Sequence, residues 1–183
     1  MLRLALLALL AACAPIDQES VRTVAAIEIA LRTGSDRADL VAMLERHAAA
    51  NGLHVDDVSE RRREFERDAN LIAPEDRGTF YVGVWRGEDD DEAEVLADDQ
   101  FHPGRAWVTF PRGQEPDHST RVREAMLAEI RQRWPEARPL PILPTGGVPL
   151  VDDLVMTEHG YRIVRSAAER YRLPPSSPLL APR

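Results

Sequence analysis

Lysine is absent from this chain, and cysteine occurs only once, at Cys13. All 23 basic residues are therefore arginines. Without lysine, the chain has no side-chain amine for Schiff-base catalysis and no P-loop lysine to contact a nucleotide phosphate. A single cysteine cannot form a disulfide within the chain or build a cysteine-rich zinc site. These four features are excluded before any element of structure is considered.

The five histidines lack the spacing of metal-binding motifs. They occur at His47, His54, His102, His118 and His159. None belongs to a His-x-x-x-His or His-Glu-x-x-His sequence, so a zinc site would need distant residues, such as His102 with Asp98 or Asp99. The sequence predicts no metal ion and no cofactor.

Hydrolase signatures are missing as well. The segment 117–119 reads Asp-His-Ser, which contains the residue types of a catalytic triad. Triad members approach one another from separated parts of a chain, however, and three consecutive side chains diverge. Asp117 or Ser119 is better explained as the N-cap of the helix that follows. No Gly-x-Ser-x-Gly sequence supplies a nucleophile instead.

An acidic stretch is the most conspicuous chemical feature of the sequence. Residues 88–92 read Glu-Asp-Asp-Asp-Glu, and Glu94, Asp98 and Asp99 follow. Clustered carboxylates are suitable ligands for Ca²⁺, but the glycine and glutamate positions of an EF-hand loop are not present. The sequence favours a solvent-exposed hairpin tip over a calcium site.

The first residues have the layout of a secretory signal. Arg3 is followed by an apolar run over 4–12 and then by Cys13. The run is too short to span a bilayer, which takes about 20 apolar residues. Residues 10–13, Leu-Ala-Ala-Cys, resemble the lipobox of bacterial lipoproteins. That resemblance implies that 1–12 are removed as a signal peptide and that Cys13 carries the lipid.

The same resemblance implies a place in the cell. The lipid on Cys13 would anchor the chain to a membrane, because several acyl chains together make a durable anchor. Ala14 and Pro15 follow the cysteine, without the aspartate associated with retention at the inner membrane. The expected location is therefore the cell envelope, at the outer membrane facing the periplasm. Residues 13–22 would form the lipidated N-terminus and a short tether.

The net charge of −8 limits the partners of the chain. Phosphate binding by nucleic-acid-binding proteins depends on basic patches, so nucleic acid is not an expected partner. The same negative charge argues against the domain itself lying on an anionic membrane face.

Apolar periodicity predicts two helices and several strands. Ser35 or Asp36 is predicted to cap the first helix, which runs to about Ala50 and is stopped by Gly52. The second helix runs from Ser119 to Trp134. The predicted strands are 24–31, 53–58, 79–86, 93–97, 105–111, a short segment at 140–143, and a hairpin of 154–156 with 161–164. The structure of 59–75 is left open.

This order of elements predicts an α+β fold. The expected architecture is a mostly antiparallel sheet with two main helices packed on it, in an order that resembles a ferredoxin-like fold. A single domain would occupy 23–173, and residues 174–183 would form a loose C-terminal tail.

Three aromatic residues share one predicted sheet face. Tyr81, Trp85 and Trp107 alternate with core positions on two strands, on the face away from the first helix. If this face is exposed, they form a surface for a partner, and if a helix or the tail covers it, they belong to the core.

The sequence favours a membrane-tethered, non-catalytic module that binds another envelope protein. An inhibitor or immunity protein is one form of this, since negative charge would steer a basic toxin. The alternative is an envelope enzyme, or a small-ligand or metal-binding protein, with a site assembled from scattered histidines and carboxylates. A tethered structural domain without a dedicated ligand is the third possibility.

Overall fold

A computed structural model describes residues 19–69, 80–87, 92–99 and 104–172, with the side chains of 66–69 left out. The chain has the predicted α+β fold, and the described residues form three α-helices and a six-stranded antiparallel sheet. Cys13, most of its tether, residues 88–91, His102 and the tail 174–183 lie outside the described residues. No helix in the described part of the chain is both long enough and apolar enough to cross a membrane.

The six strands of the main sheet pair in the order β2-β3-β4-β5-β1-β6, with every neighbouring pair antiparallel. Their bounds are β1 Thr23–Ala30, β2 His54–Asp57, β3 Tyr81–Arg86, β4 Glu92–Asp98, β5 Arg105–Pro111 and β6 Arg138–Pro139. The ferredoxin-like order is not confirmed, because β2 and β3 extend the sheet beyond β4. Two further strands, β7 (Leu154–Thr157) and β8 (Gly160–Ile163), form a separate hairpin.

Three helices connect the strands. They are α1 (Gly34–Ala50), α2 (Ser59–Ala69) and α3 (Pro116–Arg133). The predicted cap of α1 is wrong by two or three residues. Thr33 is the N-cap, and its side chain and that of Asp36 form a reciprocal capping box, which satisfies two backbone N–H groups. Gly52, with φ +68°, follows the end of the helix as predicted.

The predicted start of α3 is also wrong. The helix begins at Pro116, whose fixed φ suits the first helical position, and Glu115 is the N-cap without a side-chain bond. Asp117 and Ser119 therefore lie within the first turn and do not cap it. Ser119 is buried and donates a hydrogen bond to the carbonyl oxygen of Glu115.

One face of the sheet is covered by α1 and α3. Alternate residues of the strands point into this core because successive side chains of a strand point to opposite faces. The largest fully buried side chains lie there: Phe80, Phe110, Ile29, Leu40, Met43, Leu44, Met126, Ile130, Val82, Val84, Val95 and Val108.

The opposite face of β1 and β5 is covered by the segment that follows β6. Ala26, Trp107 and Leu140 form a second buried cluster there. Apolar residues of the later segment pack against it: Ile142, Val148, Val151, Leu154 and Tyr161. The β7–β8 hairpin therefore packs on the sheet face that contains Trp107. From the sequence, this face could have been either exposed or part of the core.

Candidate functional site

The predicted aromatic surface does not exist as a continuous patch. Trp107 is only 4% exposed and belongs to the second core, because the segment after β6 packs over it. Trp85 is half-buried and lies flat over Gly83, where an added Cβ would come within 2.1 Å of the indole nitrogen. Tyr81 is half-buried beneath Arg62, whose guanidinium carbon lies 4.5 Å from the ring centre. The three residues share a sheet face, as predicted, but Trp107 cannot contact a partner.

A buried carboxylate lies on that same face, next to Trp107. Glu28 lies on β1, opposite Trp107 on β5 and Arg138 on β6, and its side chain is 1% exposed. Its oxygens accept hydrogen bonds from the indole nitrogen of Trp107 at 3.0 Å and from the hydroxyl of Tyr161 at 2.8 Å. The guanidinium of Arg105 forms a third, very short contact with it. A buried charge needs such partners, since an unpaired one is strongly destabilising.

Two of the side chains that donate to Glu28 have raised pKa values. Burial raises the pKa of Tyr161 to about 12, and the hydrogen bond to Glu28 and its negative charge act in the same direction. The hydrogen bond to Glu28 likewise raises the pKa of Arg105. Both side chains therefore remain protonated donors over the whole physiological pH range. Tyr161 comes from β8, so this network joins the hairpin to the main sheet.

The raised pKa of Tyr161 predicts an alkaline loss of stability. Above pH 10 the unfolded tyrosine ionises while the folded one does not, so stability falls as the pH rises from 10 towards about 12. Tyr161→Phe should remove this part of the pH dependence. Denaturant unfolding of both proteins across that pH window measures the difference. An identical pH dependence in the two proteins would contradict the assignment.

An open cleft of about 410 Å³ lies between Glu28 and the hairpin. Its charged lining is balanced, with three arginines and three glutamates: Arg32, Arg105, Arg138, Glu28, Glu136 and Glu158. Met156 and Thr157 of β7 complete one wall. Both oxygens of Glu28 accept hydrogen bonds from the protein, and the bond from Tyr161 fastens the hairpin to the main sheet.

Strand β7 and the residue range just before it expose apolar side chains, of which Met156 lines this cleft. Val155 is 46% exposed and Met156 is 44% exposed, and Leu150 just before the strand is 56% exposed. Within the described residues, β7 pairs with β8 on one side only. An edge of this kind presents unpaired backbone groups together with apolar side chains, and such edges pair readily with another chain.

The described end of the acidic stretch is not solvent-exposed. At its described end, Glu92 and Glu94 are buried in β4. Arg86 contacts Glu94 at 2.6 Å, and the backbone N–H of Gln114 donates to Glu92. Burial lowers the pKa of Arg86, but its hydrogen bond to Glu94 and the surrounding glutamates outweigh this and raise it. These two carboxylates therefore do not belong to a solvated hairpin tip.

The described histidines are spread over the fold. His47 on α1 bonds to Glu129 on α3 at 2.9 Å, and His159 lies exposed in the β7–β8 turn. Asp98 is the last residue of β4. Asp99 follows it and accepts a hydrogen bond from the backbone N–H of Phe80. Among residues 19–69, 80–87, 92–99 and 104–172, no three possible ligands lie close enough to hold a metal ion.

The sequence prediction missed Glu28, Arg105, Tyr161 and the exposed edge of β7. One signal was available for Glu28, since it is the only charged residue in the strand Thr23–Ala30. A lone carboxylate within an apolar strand points to a buried partner network.

A comparison with models of known protein families and with curated proteins finds no match to this chain.

Proposed function

We propose that this chain is a lipid-anchored, non-catalytic module of the bacterial cell envelope that binds an extended segment of another envelope protein along β7. The observation that carries the proposal is the edge of β7, where Val155 and Met156 are both exposed and Met156 lines a polar cleft. An added strand would pair with the backbone of β7, and its side chains would cover these two residues.

The surroundings of β7 support a binding role. The Glu28 network fixes the hairpin to the sheet, so the edge is presented on a rigid support and loses little entropy on binding. The adjacent cleft provides Arg32 and Arg138 next to Glu136 and Glu158. Alternating charges of this kind select the register and identity of a partner more than they add affinity.

The anchor places this module at a membrane. The signal-like segment 1–12 and Cys13 support lipidation, and Glu19, the first described residue, is only six positions after the cysteine. Six extended residues reach at most about 20 Å, so the domain would remain close to the bilayer surface. The partner is therefore expected among proteins of the same compartment.

Charged substitutions on β7 test this proposal. Val155→Asp and Met156→Asp should each weaken capture of the partner about tenfold or more, because a desolvated carboxylate would face its apolar surface. Phe65→Asp on α2 is the matched control, since Phe65 is 65% exposed and distant in sequence. Capture from cells that make the full-length lipidated chain, compared across the variants, gives the answer. Equal capture by all four proteins would overturn the proposal.

A further inference from the structure

The cavity at the other end of β1 has an excess of positive charge in an otherwise acidic chain. Its volume is about 450 Å³. Among the described residues, its lining contains three arginines, Arg22, Arg112 and Arg123, and one carboxylate, Glu19. The cleft beside Glu28 contains the same number of arginines, but three glutamates balance them there.

One carboxylate cannot compensate three guanidinium groups. Glu19 is shared, with one oxygen 2.9 Å from Arg22 and the other 2.9 Å from Arg112. Arg22 also donates to the carbonyl oxygen of Pro144 at 2.7 Å. Arg123 is half-buried, and the side-chain bond that it makes is to the hydroxyl of Thr120 at 3.0 Å. Like charges in a partly desolvated cavity repel one another, and a bound anion removes this repulsion.

We propose that this cavity binds a phosphate group. Guanidinium groups match phosphate oxygens with paired N–H donors, and several converging arginines favour a group that offers more than two acceptor oxygens. The lining also has an apolar part, formed by Val24, Ile142 and Leu143. A phosphate that carries an apolar substituent fits both parts. The source of such a group is either the headgroup of an anionic phospholipid or a soluble phosphoester.

The position of the cavity is consistent with a lipid source. Glu19 and Arg22 lie at the N-terminal end of β1, on the side of the predicted anchor, whereas the Glu28 cleft lies towards the other end of the same strand. Val24, which lines the cavity, and Val21, which precedes β1, are both exposed apolar residues. Headgroup binding there would direct β7 away from the bilayer. The anion site does not depend on the proposed role of β7, so either can fail alone.

The test uses full-length chain carrying Cys13→Ser, so that no lipid anchor contributes to binding. Calorimetric titration with inorganic phosphate measures the binding of a soluble phosphate. Sedimentation with phosphatidylcholine vesicles, with and without phosphatidylglycerol, measures the lipid arm. In the same background, Arg123→Gln should weaken whichever binding occurs about tenfold, as expected for one lost charge-assisted contact. Arg131→Gln, an exposed arginine on the same helix, should leave it unchanged.

Each result decides the inference. Saturable phosphate binding, or phosphatidylglycerol-dependent sedimentation, that Arg123→Gln weakens and Arg131→Gln does not would support the site and identify its source. Because Arg123 has uncompensated positive charge around it, Arg123→Gln should also unfold at the same or a higher temperature, which excludes misfolding as the cause of lost binding. Arg112→Gln provides a second variant with the same expected loss. No binding in either arm, or equal binding by Arg123→Gln and Arg131→Gln, would overturn the proposal.

Discussion

Glu28→Ala is expected to lower the free energy of unfolding by about 1–3 kcal/mol, the cost of leaving buried donors without an acceptor. The substitution removes the acceptor from Trp107 and Tyr161 and leaves the guanidinium of Arg105 without its counter-charge. A buried donor that loses its acceptor pays its desolvation cost without compensation, whereas the partly exposed guanidinium of Arg105 can be hydrated by water. Folded domains are commonly stable by 5–15 kcal/mol, so this loss is a large fraction of the total. Denaturant-induced unfolding, followed by circular dichroism, measures it.

Two variants define the cause of that loss. Glu28→Gln keeps an acceptor oxygen but removes the charge, so it should lie between the wild type and Glu28→Ala. Glu45→Ala replaces an exposed glutamate of α1 and should change stability by less than about 0.5 kcal/mol. An enzyme would show the opposite behaviour, because removing a strained catalytic carboxylate often leaves stability unchanged or raises it. Wild-type stability in Glu28→Ala would therefore contradict the structural role and favour the enzyme alternative.

The loss should also be local. Tyr161 connects β8 to Glu28, and Thr157 pairs with Gly160 at the hairpin turn. Glu28→Ala should accelerate the exchange of backbone amides relative to the wild type, and this increase should be larger in β7 and β8 than in β3 and β4. Hydrogen exchange read by mass spectrometry resolves the two regions, since regions of unequal stability open independently.

Alternation and strong periodicity explain which elements the sequence predicted. The strand at 105–111 was predicted with the bounds that the structure has, because its apolar and polar residues alternate without interruption. The helix α2 was left open for a physical reason. Its residues are mostly charged, and Phe65 is 65% exposed, so no apolar stripe indicates which face packs. Tertiary contacts support it instead, including the stacking of Arg62 on Tyr81.

The candidate site was harder to predict than the fold. Trp107 and Tyr81 were correctly assigned to one sheet face, but the segment that covers Trp107 follows it by more than 30 positions. Periodicity within a strand gives no information about such a distant partner. The exposure of Val155 and Met156 has the same origin, since it depends on how the hairpin lies against the sheet. Long-range packing therefore decided both outcomes.

Cys13→Ser should move the protein from the membrane fraction to the soluble fraction, or leave it as an unprocessed precursor. A serine hydroxyl cannot replace the thiol that receives the lipid, and without acyl chains the anchor is lost. Fractionation of cells that make the full-length chain, with immunoblotting for precursor and mature size, measures this effect. Ala14→Ser is the matched control, because it changes the adjacent residue and should leave the protein processed and in the membrane. Unchanged membrane retention of Cys13→Ser would refute lipid anchoring.

Photocrosslinking in intact cells tests the proposed function most directly. A photoreactive residue is placed at position 155 or 156 of the lipidated chain and, as a control, at position 65. The account predicts one discrete adduct with the same envelope protein from both β7 positions and none from position 65. The absence of any adduct at β7, or identical adducts from all three positions, would contradict a binding role for this edge.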